Sequence, residues 1–338
     1  MSSRRVGTFF LATLCLLLLS QPAAAATTLQ PDSILQYVPS LPGNAIVTAF
    51  YGFFSLVLFI YVFRTRSWWA LCEPIGAFFS FLGYLLRIVM RSNQSSQTIY
   101  IVLYLFVVLS PACYLAFNYI IYGRLLVALT GIDRHDDSVK KSKVKSPYSP
   151  LPPRLYTAIF VISDVVTFLI QAAGGGMQTS NGPIVITGNH VFLAGVVLQM
   201  ASYVFFSFLM LFAHFRLARD DPAHFSPLKA TTKMRQSPGL VLLYLLYVSS
   251  IAIIVRLIYR TVEMAQGYGG QLYSNEIYTF LLDAMPLLIS IGVWAAVWPG
   301  TLLERVQPTE AALRGRSGAE HNAESLTTTA DAGTHEKA

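Results

Sequence analysis

The chain has 338 residues, of which 54% are hydrophobic and 12% charged, and its mean hydropathy is +0.54. A soluble fold of that composition would leave large apolar patches in water, so the composition specifies an integral membrane protein. The formal charge of +7 and pI near 9.3 do not point to nucleic acid, because the basic residues fall in loops between apolar runs, where membrane sidedness accounts for them.

Residues 1–26 open with Arg4 and Arg5, run through TFFLATLCLLLL and end in PAAAA before Thr27. This is the three-part pattern of a cleavable signal peptide, with an uncleaved anchor as the alternative. A cleaved leader leaves 27–43 as an outer amino-terminal segment. Seven apolar runs follow, at about 44–63, 68–90, 98–122, 155–174, 190–213, 239–262 and 276–298, each near the roughly 20 residues that a bilayer needs. Only helices satisfy the backbone of such runs in lipid. The expected fold is therefore all-α, a seven-helix membrane domain over 44–300, with 301–338, rich in Ser, Thr, Ala and Gly, as a disordered cytosolic tail.

Lys and Arg counts give the expected orientation. With the amino terminus outside, the inner loops 64–67, 123–154 and 214–238 hold Arg64, Arg66, Arg124, Arg134, Lys140, Lys141, Lys143, Lys145, Arg154, Arg216, Arg219, Lys229, Lys233 and Arg235, whereas the outer loops hold Arg91 alone. That split places the loops and the carboxyl terminus in the cytosol. The sequon Asn93-Gln94-Ser95 falls in an outer loop, so Asn93 is the candidate glycosylation site. Trp68 and Trp69, just after Arg64 and Arg66, fit an interfacial aromatic belt.

Polar residues inside the spans carry the functional argument. A charge at membrane depth costs about 2.5–3.5 kcal/mol on insertion scales, so it must be paired, wetted or used. Span two holds Glu73 and Arg87, separated by about 21 Å of helix and unable to pair with each other. Span three contains Pro111, which frees a carbonyl, followed by Asn118 and Tyr119. In span four Asp164 and Gln171 share a face, and Asp164, midway through the bilayer, is expected either to be protonated or to recruit an arginine, with Arg256 and Arg260 as the candidates. Gln199 in span five suits a hydrogen bond to a neighbouring helix. The densest stretch is 256–283, RLIYRTVEMAQGYGGQLYSNEIYTFLLD. Arg256, Arg260 and Glu263 lie on one helix face, and Glu276 and Asp283 are likewise seven apart, so a short turn lets the two faces meet. The alternative is a set of buried ion pairs that only fix helix register.

The sequence has no HExxH, no Gly-rich phosphate loop, no GxSxG and no trio of histidines within the spans. His190 is the only histidine placed in a span. Three cysteines, Cys15, Cys72 and Cys113, make no disulfide framework. Neither an enzyme nor a cofactor is expected.

YVPS before span one, GYLLR over 83–87, Pro111 with Tyr119 and Arg124, DVVTFLIQAAGGG over 164–176, GVVLQ over 195–199, RLIYRTVEMAQGYGG over 256–270, then Glu276, Asp283 and Pro299-Gly300 together resemble the fungal lipid-translocating exporters. This seven-span family includes aminocholesterol-resistance proteins and sphingoid long-chain base transporters. Two positions depart from its pattern: Ser80 stands where a Glu is usual, with Glu73 two turns earlier, and Trp298 stands where a His is common. The resemblance implies a plasma-membrane or endomembrane protein of a fungus that moves amphipathic lipids or confers resistance to toxic ones, with membrane lipids as its partners. On that reading Asp164, Glu263, Glu276 and Asp283 receive an amine head group and Arg256 and Arg260 neutralise the empty site. Nothing in the sequence supplies ATP hydrolysis, so movement runs downhill or couples to protons through the same carboxylates. A seven-span lipid receptor and an exporter of a secondary metabolite are the alternatives.

Overall fold

The computed structural model describes residues 37–92, 94–130, 152–179, 182–220, 225, 237–267, 270–306 and 308–309. The expected leader, the sequon Asn93 and the tail from 310 onward lie outside the described residues. Among the described residues there is no strand, and seven helices are long and apolar enough to cross a bilayer. They are α1 (Leu41–Thr65), α2 (Cys72–Met90), α3 (Gln97–Leu129), α4 (Pro153–Gln178), α5 (Ile184–Asp220), α6 (Pro238–Gln266) and α7 (Glu276–Ala296).

The helices start where proline costs least. Pro42, Pro153 and Pro238 stand in first turns, where the missing N–H has no partner to lose. Gly267, with φ of 70°, closes α6 in a conformation that side chains disfavour. The outward faces are apolar: Phe53, Leu56, Ile60 and Phe63 on α1, and Phe205, Phe208, Phe212 and Phe215 on α5, recur every three or four residues and are exposed. The polar residues Asn118, Asp164, Gln199, Ser249 and Arg256 are buried. Apolar outside and polar within is the arrangement that lipid imposes and water would not.

Helix α3 is central, touching α2, α4, α6 and α7, while α1 packs on α2 and α7, α4 lies along α5, and α6 lies against α5 and α7. The α4–α5 pair is held closest. A Cβ on Gly174 would fall 2.5 Å from the Phe192 nitrogen, and one on Gly188 would fall 2.9 Å from the Gly174 carbonyl oxygen. Small residues bring helix backbones together where lipid offers no hydrophobic drive to do so.

Three features extend beyond what the apolar runs delimit. Helix α5 has 37 residues and α3 has 33, about 55 and 50 Å at 1.5 Å per residue, so both outreach a hydrocarbon core of about 30 Å. Helix α7 is not uniform: Thr279–Ala284 forms a π-helical turn before Met285–Ala296, and Pro286 lacks the N–H that would bond the Leu282 carbonyl. The wide turn buries Thr279, Phe280, Asp283 and Ala284 together. Finally, the start of the segment assigned to the tail is docked. A short helix α8 (Pro299–Leu303) buries Leu303, and the Thr309 N–H donates to the Leu129 carbonyl at 3.1 Å.

Candidate functional site

Four of the sequence-nominated charges meet between α6 and α7. Arg260 grips Asp283 with two parallel bonds, Nε to Oδ1 at 2.9 Å and Nη2 to Oδ2 at 2.7 Å, while its Nη1 donates to Glu263 Oε2 at 3.1 Å. Arg256 Nε stands 2.9 Å from the same Asp283 Oδ1. The Tyr259 hydroxyl donates to Glu263 Oε1 at 2.9 Å. Two guanidinium groups thus face two carboxylates, formally neutral as a set, and the bidentate fork fixes their orientation.

The local backbone explains why these side chains reach one another. Arg256, Arg260 and Glu263 lie on one face of α6, and the π turn presents Asp283 to that face. Pro111 has no N–H for the carbonyl of Val107 four residues before it, and Arg256 Nη2 donates to that carbonyl at 3.2 Å. The proline thus supplies an acceptor for an arginine.

Small cavities adjoin the cluster, two of them against its arginines. One of about 40 Å³ is lined by Tyr37, Arg87, Tyr100, Tyr104, Arg260, Glu263 and other residues, room for a few waters where roughly 10–15 Å³ holds one. Arg87 lies over the Tyr37 ring at 5.6 Å and is within electrostatic reach of Glu263 and Asp283. The other cavity, about 10 Å³, lies between Gln171, Gln199, Arg256 and Arg260. Arg260 keeps 12% of its side-chain surface accessible, against 3% for Asp283.

The remaining nominated residues lie elsewhere. Asp164 recruits neither arginine, which corrects that alternative of the sequence expectation. Asp283 takes both arginines, and Asp164 instead sits beside Tyr119, with its two carboxylate oxygens and the Tyr119 hydroxyl all buried and outside hydrogen-bonding geometry. Glu276 is likewise no member of the cluster: it accepts the Ser40 N–H at 2.8 Å and the Asn44 side-chain amide at 2.7 Å, and so caps the start of α1. Glu73 stands in the first turn of α2, 1% exposed, with both oxygens unpartnered. Gln171 donates to Gln199 at 2.9 Å, the cross-helix bond expected of Gln199. Among the described residues no group of three His, Cys, Asp or Glu is placed to hold a metal ion.

Sequence reasoning missed a second polar centre. Asn118 donates to Tyr203 at 2.8 Å and to Ser249 at 2.9 Å, Ser249 pairs with Ser290 at 2.7 Å, and Tyr203 donates to Ser250 at 3.1 Å. This network ties α3, α5, α6 and α7 together. His214, which the sequence placed beyond the fifth span, is in α5, 3.0 Å from the Tyr247 hydroxyl and 3.3 Å from the Phe225 carbonyl. The two positions that depart from the family pattern are also occupied productively: Ser80 bonds Tyr114 at 2.9 Å, and Trp298 donates to Thr65 at 3.2 Å.

A seven-helix membrane protein with a buried arginine–carboxylate cluster is the class that this fold and site define. The profile of the RTA1-like proteins matches residues 74–305, over two thirds of the chain. The chain belongs to that family. It is 32% identical over 220 residues to the protein RTM1 of Saccharomyces cerevisiae, covering 65% of this chain and 63% of RTM1. It is 28% identical to the protein RTA1 of the same yeast, over 66% of this chain and 63% of that one. The sphingoid long-chain base transporter RSB1, from S. cerevisiae strain Lalvin EC1118, is 24% identical over 292 residues, 78% of this chain and 72% of the relative. The chain thus spans somewhat under two thirds of RTM1 and RTA1. No solved structure matches it.

Proposed function

We propose that the protein is a transporter that moves single-chain amphipathic lipids, such as sphingoid bases or sterol-like toxins, between bilayer leaflets and so confers resistance to them. The supporting observation is the cluster of Arg256, Arg260, Glu263 and Asp283, ion-paired between two helices and reached by a cavity that Arg87 and Tyr37 also line. A lipid's polar head must cross the apolar core, and exchangeable charges lower that barrier. An ammonium head competes for Glu263, held by one arginine contact, and then for Asp283, displacing Arg260. A cavity of about 40 Å³ holds waters and no head group, so this packing is a closed state and α6 and α7 must part for transport.

The naming of a relative as a sphingoid base transporter supports the reading at the level of lipid-related transport. The basic ends of α1, α3 and α5 (Arg64, Arg66, Arg124, Arg216, Arg219) support an orientation with that end in the cytosol. The site residues so assigned are Arg256, Arg260, Glu263, Asp283 and Arg87, with Gln171 at the second cavity. The test is protection of yeast cells against added long-chain base: Asp283→Asn, at normal protein level, is expected to abolish it, and full protection by that variant overturns the assignment.

A further inference from the structure

The acids of the bundle fall into two sets. Glu263 and Asp283 have arginine partners. Glu73 and Asp164 have none: they are 1% and 2% exposed, and all four of their carboxylate oxygens are buried without a hydrogen bond. A carboxylate buried this deeply without an ion-pair partner is costly to keep ionised.

Among the described residues, the titratable groups within electrostatic reach of the two acids come from three helices. Around Glu73 they are Cys72 on the same helix, Cys113 and Tyr114 on α3 and Tyr203 on α5. Around Asp164 they are Tyr119 on α3 and Tyr203 on α5. These are thiols and phenols, and none is a cation. The Tyr119 hydroxyl beside Asp164 can donate to its carboxylate or accept from its carboxylic acid.

Both acids adjoin the polar interior. Tyr203 is within electrostatic reach of each and is hydrogen-bonded into the Asn118–Ser249–Ser290 network. Tyr114 reaches Glu73 on one side and Tyr51 on the other, and Tyr51 in turn lies within reach of Asp283 and Arg256. Tyrosine hydroxyls thus lie within electrostatic reach of both the unpaired acids and the ion-paired cluster.

We infer that Glu73 and Asp164 form a proton-binding pair, separate from the head-group site, that holds its protons in this closed packing and releases them when the bundle opens to water. Each event makes or breaks one O–H bond (RCOO⁻ + H⁺ to RCOOH) and needs no other reactant. Because protonation favours the closed packing, acid stabilises the closed state and rising pH favours the open one. The effect is up to about tenfold per pH unit for each proton released. The inference rests on the transport reading for its purpose but not for its chemistry.

The experiment has two arms on the purified full chain. In infrared difference spectra at neutral pH, wild-type protein is expected to show the carbonyl stretch of protonated carboxylic acids, diminishing as pH is raised, and Glu73→Gln and Asp164→Asn are each expected to remove part of it. A wild-type spectrum without that band overturns the inference, whether or not the variants fold and whether or not any lipid moves. In vesicles, movement of a fluorescent single-chain amphiphile is expected to change several-fold with an imposed pH gradient, and the double variant is expected to move lipid at a rate that varies less than about twofold. Movement that responds equally to the gradient in both proteins, or that follows a sodium gradient instead, overturns it as well. Absence of movement in wild type defeats the transport reading and leaves the infrared result to decide the protonation.

Discussion

At the scale of single residues, the cluster is tight because each charge has an assigned acceptor. Asp283 serves two arginines, so its loss leaves Arg260 with Glu263 alone and Arg256 without a carboxylate. Removing one partner of a buried pair typically costs about 3–5 kcal/mol, much of it the stranded charge. Asp283→Asn is therefore expected to lower thermal stability in detergent more than Glu263→Gln does, since Glu263 has one arginine contact and a tyrosine donor. Addition of Arg260→Gln to Asp283→Asn is expected to recover part of the loss, which a double-mutant cycle measures. Pro111 gives a sharper contrast. Pro111→Ala restores an N–H to the Val107 carbonyl and removes a helix-interior proline, a change worth up to about 3 kcal/mol in the helix's favour. It also takes from Arg256 the acceptor it uses at 3.2 Å. The expected result is a protein at least as stable as wild type with reduced lipid movement.

At the scale of elements, the contacts between helices discriminate among glycines that the sequence presents alike. Gly174 and Gly176 sit two residues apart in one GGG run, yet a Cβ on Gly174 meets the Phe192 backbone at 2.5 Å and one on Gly176 meets nothing within 4 Å. Gly174→Ala forces α4 from α5 and is expected to destabilise by about 1–3 kcal/mol. Gly176→Ala is expected to be neutral or to stabilise by up to about 1 kcal/mol. Thermal unfolding of the two variants checks both signs. Glu276 acts on an element it does not belong to, through the Ser40 N–H and the Asn44 amide. Glu276→Ala is expected to cost about 1–2 kcal/mol as a lost cap.

Much of the element scale was legible in the chain itself, for physical reasons. Twenty apolar residues in lipid have no alternative to a helix, so the seven spans follow from length alone. Where α3 and α5 end does not follow, because their continuations carry Arg124 or Arg216 and Arg219 and read as loop. Spacing along a helix shows which side chains share a face but not which helix that face meets. That is why the sequence groups Arg256, Arg260 and Glu263 as the structure does, yet offers their arginines to Asp164 and sets Glu276 beside them. The π turn that carries Asp283, and the hydroxyls of Tyr203, Ser249 and Ser290, had no sequence signal, since such residues are common in membrane helices and acquire meaning only when four helices bring them together.

At the scale of the whole molecule, a bundle of helices in which α3 touches four others encloses buried polar side chains within an apolar exterior. The paired charges lie toward the end that carries Ser40 and Glu276, and Glu73 lies toward the basic end, in the first turn of α2. The measurement that bears most directly on this account is the movement of a fluorescent single-chain amine lipid between leaflets of vesicles containing the purified protein. Wild-type protein is expected to speed that movement well above empty vesicles, and Asp283→Asn, reconstituted in equal amount, is expected to return it to the empty-vesicle rate. Equal movement with the two proteins would contradict passage of the head group through the arginine–carboxylate cluster.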